Sequence, residues 1–189
     1  MPAVLCDLVS VDPEVVFQSL AVRLRDGTEV TLRAIRTDDA DKLETALHSL
    51  SEESRYSRFF SPMPRVSRQL LARATHPDAK TELQLVAVTG AGSEEEIIGG
   101  ARYAATETDG DCEFAVAVVD EWHGRGLARL LLETLMRAAR ARGFARMEGY
   151  ILATNARMLG LAKALGFSRE KSPEGPTVCL VRRDLGTVA

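Results

Sequence analysis

The chain has no long apolar run: no stretch approaches the roughly 18 residues that a membrane-spanning helix needs. Its N-terminus, MPAVLCDLVSVDPEVV, has no positively charged segment and carries acids early, which is unlike a secretory signal peptide. We therefore predict a cytoplasmic protein with no membrane partner.

Excess positive charge and paired cysteines are also missing. Lysine and arginine number 24 against 27 aspartates and glutamates, a net charge of −3, and no basic block stands out, which argues against nucleic-acid binding. Cys6, Cys112 and Cys179 are odd in number and lack C-x-x-C spacing. We predict reduced thiols, with no disulfide framework and no metal site.

A length of 189 residues suits one compact domain. We expect an N-terminal extension over residues 1–20, with a short helix from Pro13 to Leu20, and a single domain over 21–189. Alternating apolar and polar residues around Asp26-Gly27 predict a β-hairpin. Thr37 is expected to cap a helix that runs to about Leu50, with Asp38, Asp39 and Asp41 in its first turn.

Further helices and strands follow from caps and periodicity. Ser51 is expected to cap a helix that ends near Ser61-Pro62, and Asn155 one that ends at Gly166. VSRQLLARAT predicts another short helix. Strands are expected in LQLVAVTG, EIIGGARYAAT, CEFAVAVV, RMEGYILAT and TVCLVRRDL. This mixture predicts an α/β or α+β fold built around one sheet.

The most informative segment is the strand CEFAVAVV followed by DEWHGRGLARLLLETLMRAARARGF. Glycines 124 and 126 open a long amphipathic helix that should end with Gly143 at its C′ position. The amide N–H groups from Gly124 to Ala128 should be unpaired, and a helix N-terminus carries about +0.5 charge. The turn therefore predicts a site for a phosphate or a diphosphate.

The segment from His123 to Ala128 resembles the pyrophosphate loop of the GNAT N-acetyltransferases, whose pattern is Q/R-x-x-G-x-G/A. Gly126 and Ala128 match it, whereas His123 replaces the usual Gln or Arg. NARMLGLAKALGF, which begins at Asn155, is similar to that family's N-x-x-A-x-x-L-Y-x-K-x-GF element. The resemblance implies a mixed, mostly antiparallel, twisted sheet of about six to seven strands flanked by helices, with acetyl-CoA as co-substrate.

The resemblance also implies which residues bind acetyl-CoA. Backbone donors of the strand would hold the pantetheine arm and the thioester oxygen, loop amides the diphosphate, and a neutral imidazole would still donate one hydrogen bond. The residues implied are Val116, Val118, His123, Gly124, Arg125, Gly126, Leu127, Ala128 and Asn155. The valine side chains belong to the core, and the asparagine also serves as a helix cap.

The stretch from Leu24 to Met63 looks like the protein-lysine acetyltransferase branch of this family, which implies that Glu113, in the E-F-A-V strand, is the general base. Asp109 and Asp111 are expected to raise its pKa if they lie close. The position where many GNAT enzymes place an acidic tyrosine is Ala162 here, and Tyr103 and Tyr150 are either substitutes or packing residues.

We therefore expect an acetyl-CoA-dependent N-acetyltransferase whose acceptor is a protein lysine. The alternatives are a small-molecule amine acceptor and a catalytically weak acetyl-CoA-binding regulatory module. In RYSRFF, Tyr56, Phe59 and Phe60 are expected to pack against the sheet, or else to form a wall of the acceptor cleft. A monomer and a homodimer are both open.

Overall fold

The computed structural model describes residues 19–61 and 66–186. The predicted short helix from Pro13 lies outside the described residues, except that Leu20 begins the first strand. Cys6 also lies outside them, while Cys112 and Cys179 are buried and unpaired.

The described residues form eight strands and five α-helices. The strands are β1 (Leu20–Arg23), β2 (Glu29–Ala34), β3 (Glu82–Thr89), β4 (Glu96–Ala105), β5 (Asp111–Val118), β6 (Arg146–Leu152), β7 (Ser168–Lys171) and β8 (Val178–Asp184). The helices are α1 (Ala40–His48), α2 (Glu52–Phe59), α3 (Arg68–Thr75), α4 (Leu127–Ala141) and α5 (Ala156–Ala164). Short 3₁₀ turns cover Thr37–Asp39, Gly92–Glu94 and Asp120–Trp122.

All eight strands belong to one sheet in the order β1-β2-β3-β4-β5-β6-β8-β7. Every neighbouring pair is antiparallel except β5 and β6, which run parallel. The predicted mixed, mostly antiparallel sheet flanked by helices is confirmed. It has one strand more than the sequence indicated, because β7 is exposed at all four residues and shows no apolar alternation.

Helices cover both faces of the sheet. On one face, α4 packs its leucines against alternate residues of β2 to β5, and α5 extends that layer. On the other face, α1 and α3 pack against Val86, Val88 and Ile97. Successive residues of β3 therefore enter different cores, which explains why this strand reads as a continuous apolar run.

Three predicted local features are confirmed. The Asp26-Gly27 hairpin joins β1 to β2, the Ser51 hydroxyl accepts from the Ser54 amide to cap α2, and Gly143 follows α4 with φ of +86°. The predicted cap at Thr37 is wrong. Asp39 instead turns inward, accepts the Arg36 amide at 2.7 Å and forms a two-bond ion pair with buried Arg33.

No helix within the described segments is long and apolar enough to cross a membrane. Nor do residues 19–61 and 66–186 contain a cluster of three or more His, Cys, Asp or Glu side chains that could hold a metal ion.

Candidate active site

The parallel strands β5 and β6 separate partway along their length. Their pairing covers Asp111–Arg146, Cys112–Met147 and Glu113–Glu148, and it ends there, although β5 continues to Val118. At the fork the Phe114 ring occupies the space beside Gly149, where a Cβ would lie only 2.5 Å from a ring carbon. The two strands therefore leave a gap that begins just beyond the Glu113–Glu148 pair.

The outer half of β5 directs backbone donors into this gap. The Val119 amide donates to the Ile98 carbonyl on β4 at 3.0 Å, and successive amides of a strand point to opposite sides. The amides of Val116 and Val118 therefore point away from β4, toward the gap. The Val118 side chain is buried and that of Val116 is partly buried, both against the α4 core, so these residues offer the gap their backbone.

The loop after β5 brings more unpaired donors to the end of the gap. Gly124 and Gly126 have φ of +78° and +90°, a region that favours glycine, and α4 begins at Leu127 without a side-chain cap. Within the described segments, no acceptor engages the amides of residues 124–128. These N–H groups and the helix dipole together form a site suited to an anion such as a diphosphate.

The polar side chains around this loop are already engaged by protein groups. The His123 Nε2 lies 2.9 Å from the Val118 carbonyl oxygen, and its Nδ1 lies 3.0 Å from the Arg157 guanidinium. Arg125 donates to the Asp26 carboxylate at 3.0 Å and stacks on Trp122, with 4.6 Å between guanidinium and ring centroid. In this structure the imidazole of His123 and the guanidinium of Arg125 contact protein groups, and the predicted hydrogen bond from His123 to a ligand stays a prediction.

Asn155 lies beyond the end of β6 and immediately before α5. Its side-chain oxygen accepts the Met158 amide at 3.0 Å, so its predicted role as a helix cap is confirmed. The side-chain NH₂ group still has two donors for other partners.

Glu113 lies on the sheet face opposite α4, among charged side chains from three other elements. Paired residues on neighbouring strands share a face, so Glu148 and Arg102 lie on the same side as Glu113. Together with Arg58 and Tyr150, these residues line a polar cavity of about 560 Å³. A second, apolar cavity of about 380 Å³ adjoins it under α1 and α3, and Arg58 and Arg102 line both.

Glu113 is exposed, but partial loss of water around its carboxylate and the nearby Glu148 carboxylate raise its pKa above its ordinary value, against the opposing charges of Arg102 and Arg58. The expectation that Asp109 and Asp111 would do this is wrong. Asp111 is buried and lies 3.7 Å from the Arg146 guanidinium, and the acidic neighbour comes from β6 instead. A raised pKa suits a carboxylate that accepts a proton near neutral pH.

Arg58 approaches Glu113 from α2. Burial and the Arg102 guanidinium lower the pKa of Arg58 to about 10. In the part of the chain that the structure describes, Arg58 has no ion pair or hydrogen bond, and its guanidinium stacks over the Phe59 ring at 4.9 Å. The side chain therefore presents a positive charge to both cavities.

Only one of the three aromatic residues expected to pack from α2 does so. Phe59 packs against the core under α1 and lines the apolar cavity, whereas Tyr56 and Phe60 are 47% and 39% exposed. The helix ends at Phe59, and Phe60, which follows it, has a left-handed φ of +53°, so its ring leaves the packed face.

Asp120 joins α2 to the turn before the glycine loop. It accepts the Ser51 amide and hydroxyl at 2.9 and 2.8 Å, and the Ser54 hydroxyl at 2.9 Å. Burial alone would raise the pKa of Asp120, but these hydrogen bonds lower it below its ordinary value. The helix that carries Arg58 is thereby anchored to the loop with the unpaired amides.

Tyr103 and Tyr150, the two candidate substitutes for the general acid, lie on opposite faces of the sheet. Tyr103 is fully buried on the α4 side, where its hydroxyl accepts from Arg142 at 3.0 Å, so it cannot reach the cavity. Tyr150 lines the cavity with Glu113, and burial and the carboxylates of Glu148 and Glu113 raise its pKa. Ala162 is buried.

Sequence reasoning missed Glu148, Arg58 and Arg102. Glu148 interrupts the apolar strand RMEGYIL and is buried, held by Arg182 at 2.7 Å, so an acid inside an apolar strand was the available signal. Arg102 similarly interrupts an apolar strand. Arg58 carried no comparable signal in the polar helix EESRYSRF.

Comparisons with known proteins all lead to acetyltransferases. The family described as acetyltransferase (GNAT) domain matches residues 29–168. Acetyltransferase PA5475 of Pseudomonas aeruginosa is 32% identical over 159 residues, 84% of this chain and 86% of its own length.

Two solved structures extend this comparison. The crystal structure of the GNAT domain of S. lividans PAT superposes with a TM-score of 0.81 at 33% identity, covering 88% of this chain and 96% of that one. A cAMP-binding acyltransferase from Mycobacterium smegmatis shares the fold, with a TM-score of 0.60 at 24% identity over 89% of this chain and 48% of that one.

Proposed function

The chain belongs to the GNAT acetyltransferase family and is an N-acetyltransferase, and we propose that it acetylates lysine side chains of other proteins. GNAT acetyltransferases use acetyl-CoA as the acetyl donor. The proposal covers the donor site, the catalytic residue and the acceptor, each of which has its own support.

One observation carries the donor site. The pairing of β5 with β6 ends at Glu113–Glu148, and the gap beyond it leads to the unpaired amides of residues 124–128. We place the diphosphate of acetyl-CoA on those amides and the pantetheine arm along β5, beside the amides of Val116 and Val118. Asn155 would donate from the opposite side. The residues named here fit this ligand, since they offer many hydrogen-bond donors and none of them carries a carboxylate.

Glu113 would act as the general base. A lysine amine with a pKa of about 10.4 is almost entirely protonated at neutral pH and cannot attack in that form. Glu113 takes the proton, the amine nitrogen bonds to the acetyl carbon, and the C–S bond breaks to release CoA as a thiolate. The amides of Val116 and Val118 would stabilise the negative charge on the acetyl oxygen.

The acceptor class rests on similarity. The Leu24–Met63 stretch resembles the protein-lysine acetyltransferase branch, and the S. lividans PAT domain is 33% identical with a TM-score of 0.81. A small amine is the second candidate, favoured by the cavity of about 560 Å³ at Glu113, which is large enough for a small molecule. Cytoplasmic location stays a prediction, and a monomer and a homodimer both stay open.

Isotope-labelled acetyl-CoA distinguishes these acceptors. The protein is incubated with labelled acetyl-CoA and either a protein lysate or a panel of small amines, and Glu113→Gln is run in parallel. Labelled lysines that depend on Glu113 support the proposal. Label in small amines alone identifies the second candidate, and tight binding of acetyl-CoA without transfer to any acceptor indicates a regulatory module.

A further inference from the structure

The tip of the first hairpin lies against the glycine loop. Asp26, at the β1–β2 turn, accepts from the Arg125 guanidinium at 3.0 Å, and the Asp26 side chain also accepts the Thr28 amide at 3.0 Å. This contact places the neighbouring Arg25 beside the start of α4. Its Nε lies 3.8 Å from the point where a Cβ on Gly126 would stand.

The polar side chains of the loop itself already contact other protein groups. His123 lies between the Val118 carbonyl and Arg157, and Arg125 donates to Asp26 and to the Glu121 carbonyl at 3.2 Å. Bringing either side chain to a diphosphate would break contacts that hold the loop in place.

Arg25 is not committed in this way. Its side chain is exposed, and it makes no hydrogen bond, ion pair or ring contact with any residue that the structure describes. A guanidinium offers five donors in a planar fork that matches phosphate oxygens two at a time. The hairpin thus holds an uncommitted cation next to Gly126, whose amide is among the unpaired donors.

We propose that Arg25 binds the diphosphate of coenzyme A, so that the donor site is completed by a side chain from the first hairpin. This inference rests on the proposed acetyl-CoA site. It assigns Arg25 to the diphosphate and not to the 3′-phosphate, because its guanidinium adjoins the amides at the helix start. The Asp26–Arg125 ion pair then serves to hold the hairpin against the loop.

Calorimetry with CoA and with dephospho-CoA, which lacks the 3′-phosphate, tests this assignment. Arg25→Gln should raise the Kd of both compounds by a similar factor of about tenfold, typical of a lost charge-assisted hydrogen bond. In turnover assays the KM for acetyl-CoA should rise similarly while kcat stays unchanged. Arg23→Gln is the matched control, since Arg23 lies in the same hairpin but pairs with Glu29 at 2.5 Å, and it should leave both Kd values unchanged.

Several results would overturn the proposal. If the Kd values of Arg25→Gln stay within twofold of wild type, Arg25 does not contact the diphosphate. If only the Kd for CoA rises and that for dephospho-CoA does not, Arg25 contacts the 3′-phosphate instead. If Arg23→Gln loses as much affinity as Arg25→Gln, the effect comes from the change in net charge and not from a contact with Arg25. If the wild-type protein binds neither compound, the proposed donor site itself is wrong, and this assignment falls with it. Melting curves of each variant report whether the hairpin remains folded.

Discussion

Substituting Glu113 with glutamine preserves the size of the side chain and removes its capacity to accept a proton. At pH 7.4 a lysine with a pKa of about 10.4 is neutral in only about one molecule in a thousand. A general base typically contributes about 10²–10⁴-fold, so we expect kcat to fall at least ~10²-fold, which is about 2.7 kcal/mol of transition-state stabilisation. The Kd for CoA should stay unchanged, because the donor site uses other groups.

The pH dependence gives this prediction its sharpest form. Because the pKa of Glu113 is raised, the kcat/KM of the wild-type enzyme should increase with pH until this carboxyl is ionised. Glu148→Gln removes the negative neighbour, lowers the pKa of Glu113 and should move this limb to lower pH. In Glu113→Gln the rate should instead keep rising toward high pH, as free amine forms.

Glu107→Gln removes an exposed carboxylate at the rim of the same cavity and should leave kcat within twofold. If Glu113→Gln retains a third or more of wild-type kcat while the chemical step limits turnover, Glu113 is not the base.

Three further predictions concern the pH limb, the loop and the fold. Arg58→Gln removes a positive charge that lowers the pKa of the proposed base, so the rising limb of kcat/KM should move to higher pH. Gly126→Ala and Gly143→Ala should each cost about 1 kcal/mol of stability, because both glycines have a positive φ and a Cβ at Gly143 would meet open space. Only Gly126→Ala should also raise the KM for acetyl-CoA. Asp39→Asn should destabilise the fold by about 3 kcal/mol in denaturant titrations because it breaks a buried ion pair, whereas Thr37→Ala should cost less than about 0.5 kcal/mol.

Local signals in the sequence predicted most of the fold. The Asp26-Gly27 turn, the Ser51 and Asn155 caps and the apolar strands each depend on neighbours in the chain, and all are present. The cap at Thr37 failed because buried Arg33 draws Asp39 inward, a contact that local propensity does not contain. The strand β7 was missed because it is exposed along its whole length and is positioned by pairing with β8.

In the candidate site, too, the features set by neighbouring residues could be predicted, and those set by distant residues could not. The glycine loop and the strand that leads to it are contiguous, so their unpaired amides could be expected from sequence. The electrostatic surroundings of Glu113 come from α2, β4 and β6, and their arrangement depends on strand register across the sheet. Register between distant strands is set by tertiary packing, and the sequence therefore pointed to Asp109 and Asp111 instead of Glu148.

The claim on which the account depends is that the backbone amides of residues 124–128 hold the diphosphate of CoA. A ¹⁵N-resolved NMR titration of the protein with CoA reads those amides one by one. We predict that the resonances of Gly124, Gly126 and Ala128 shift among the most strongly and saturate together, in the wild-type protein and in Glu113→Gln alike. Saturating CoA that leaves these three resonances in place would contradict the account.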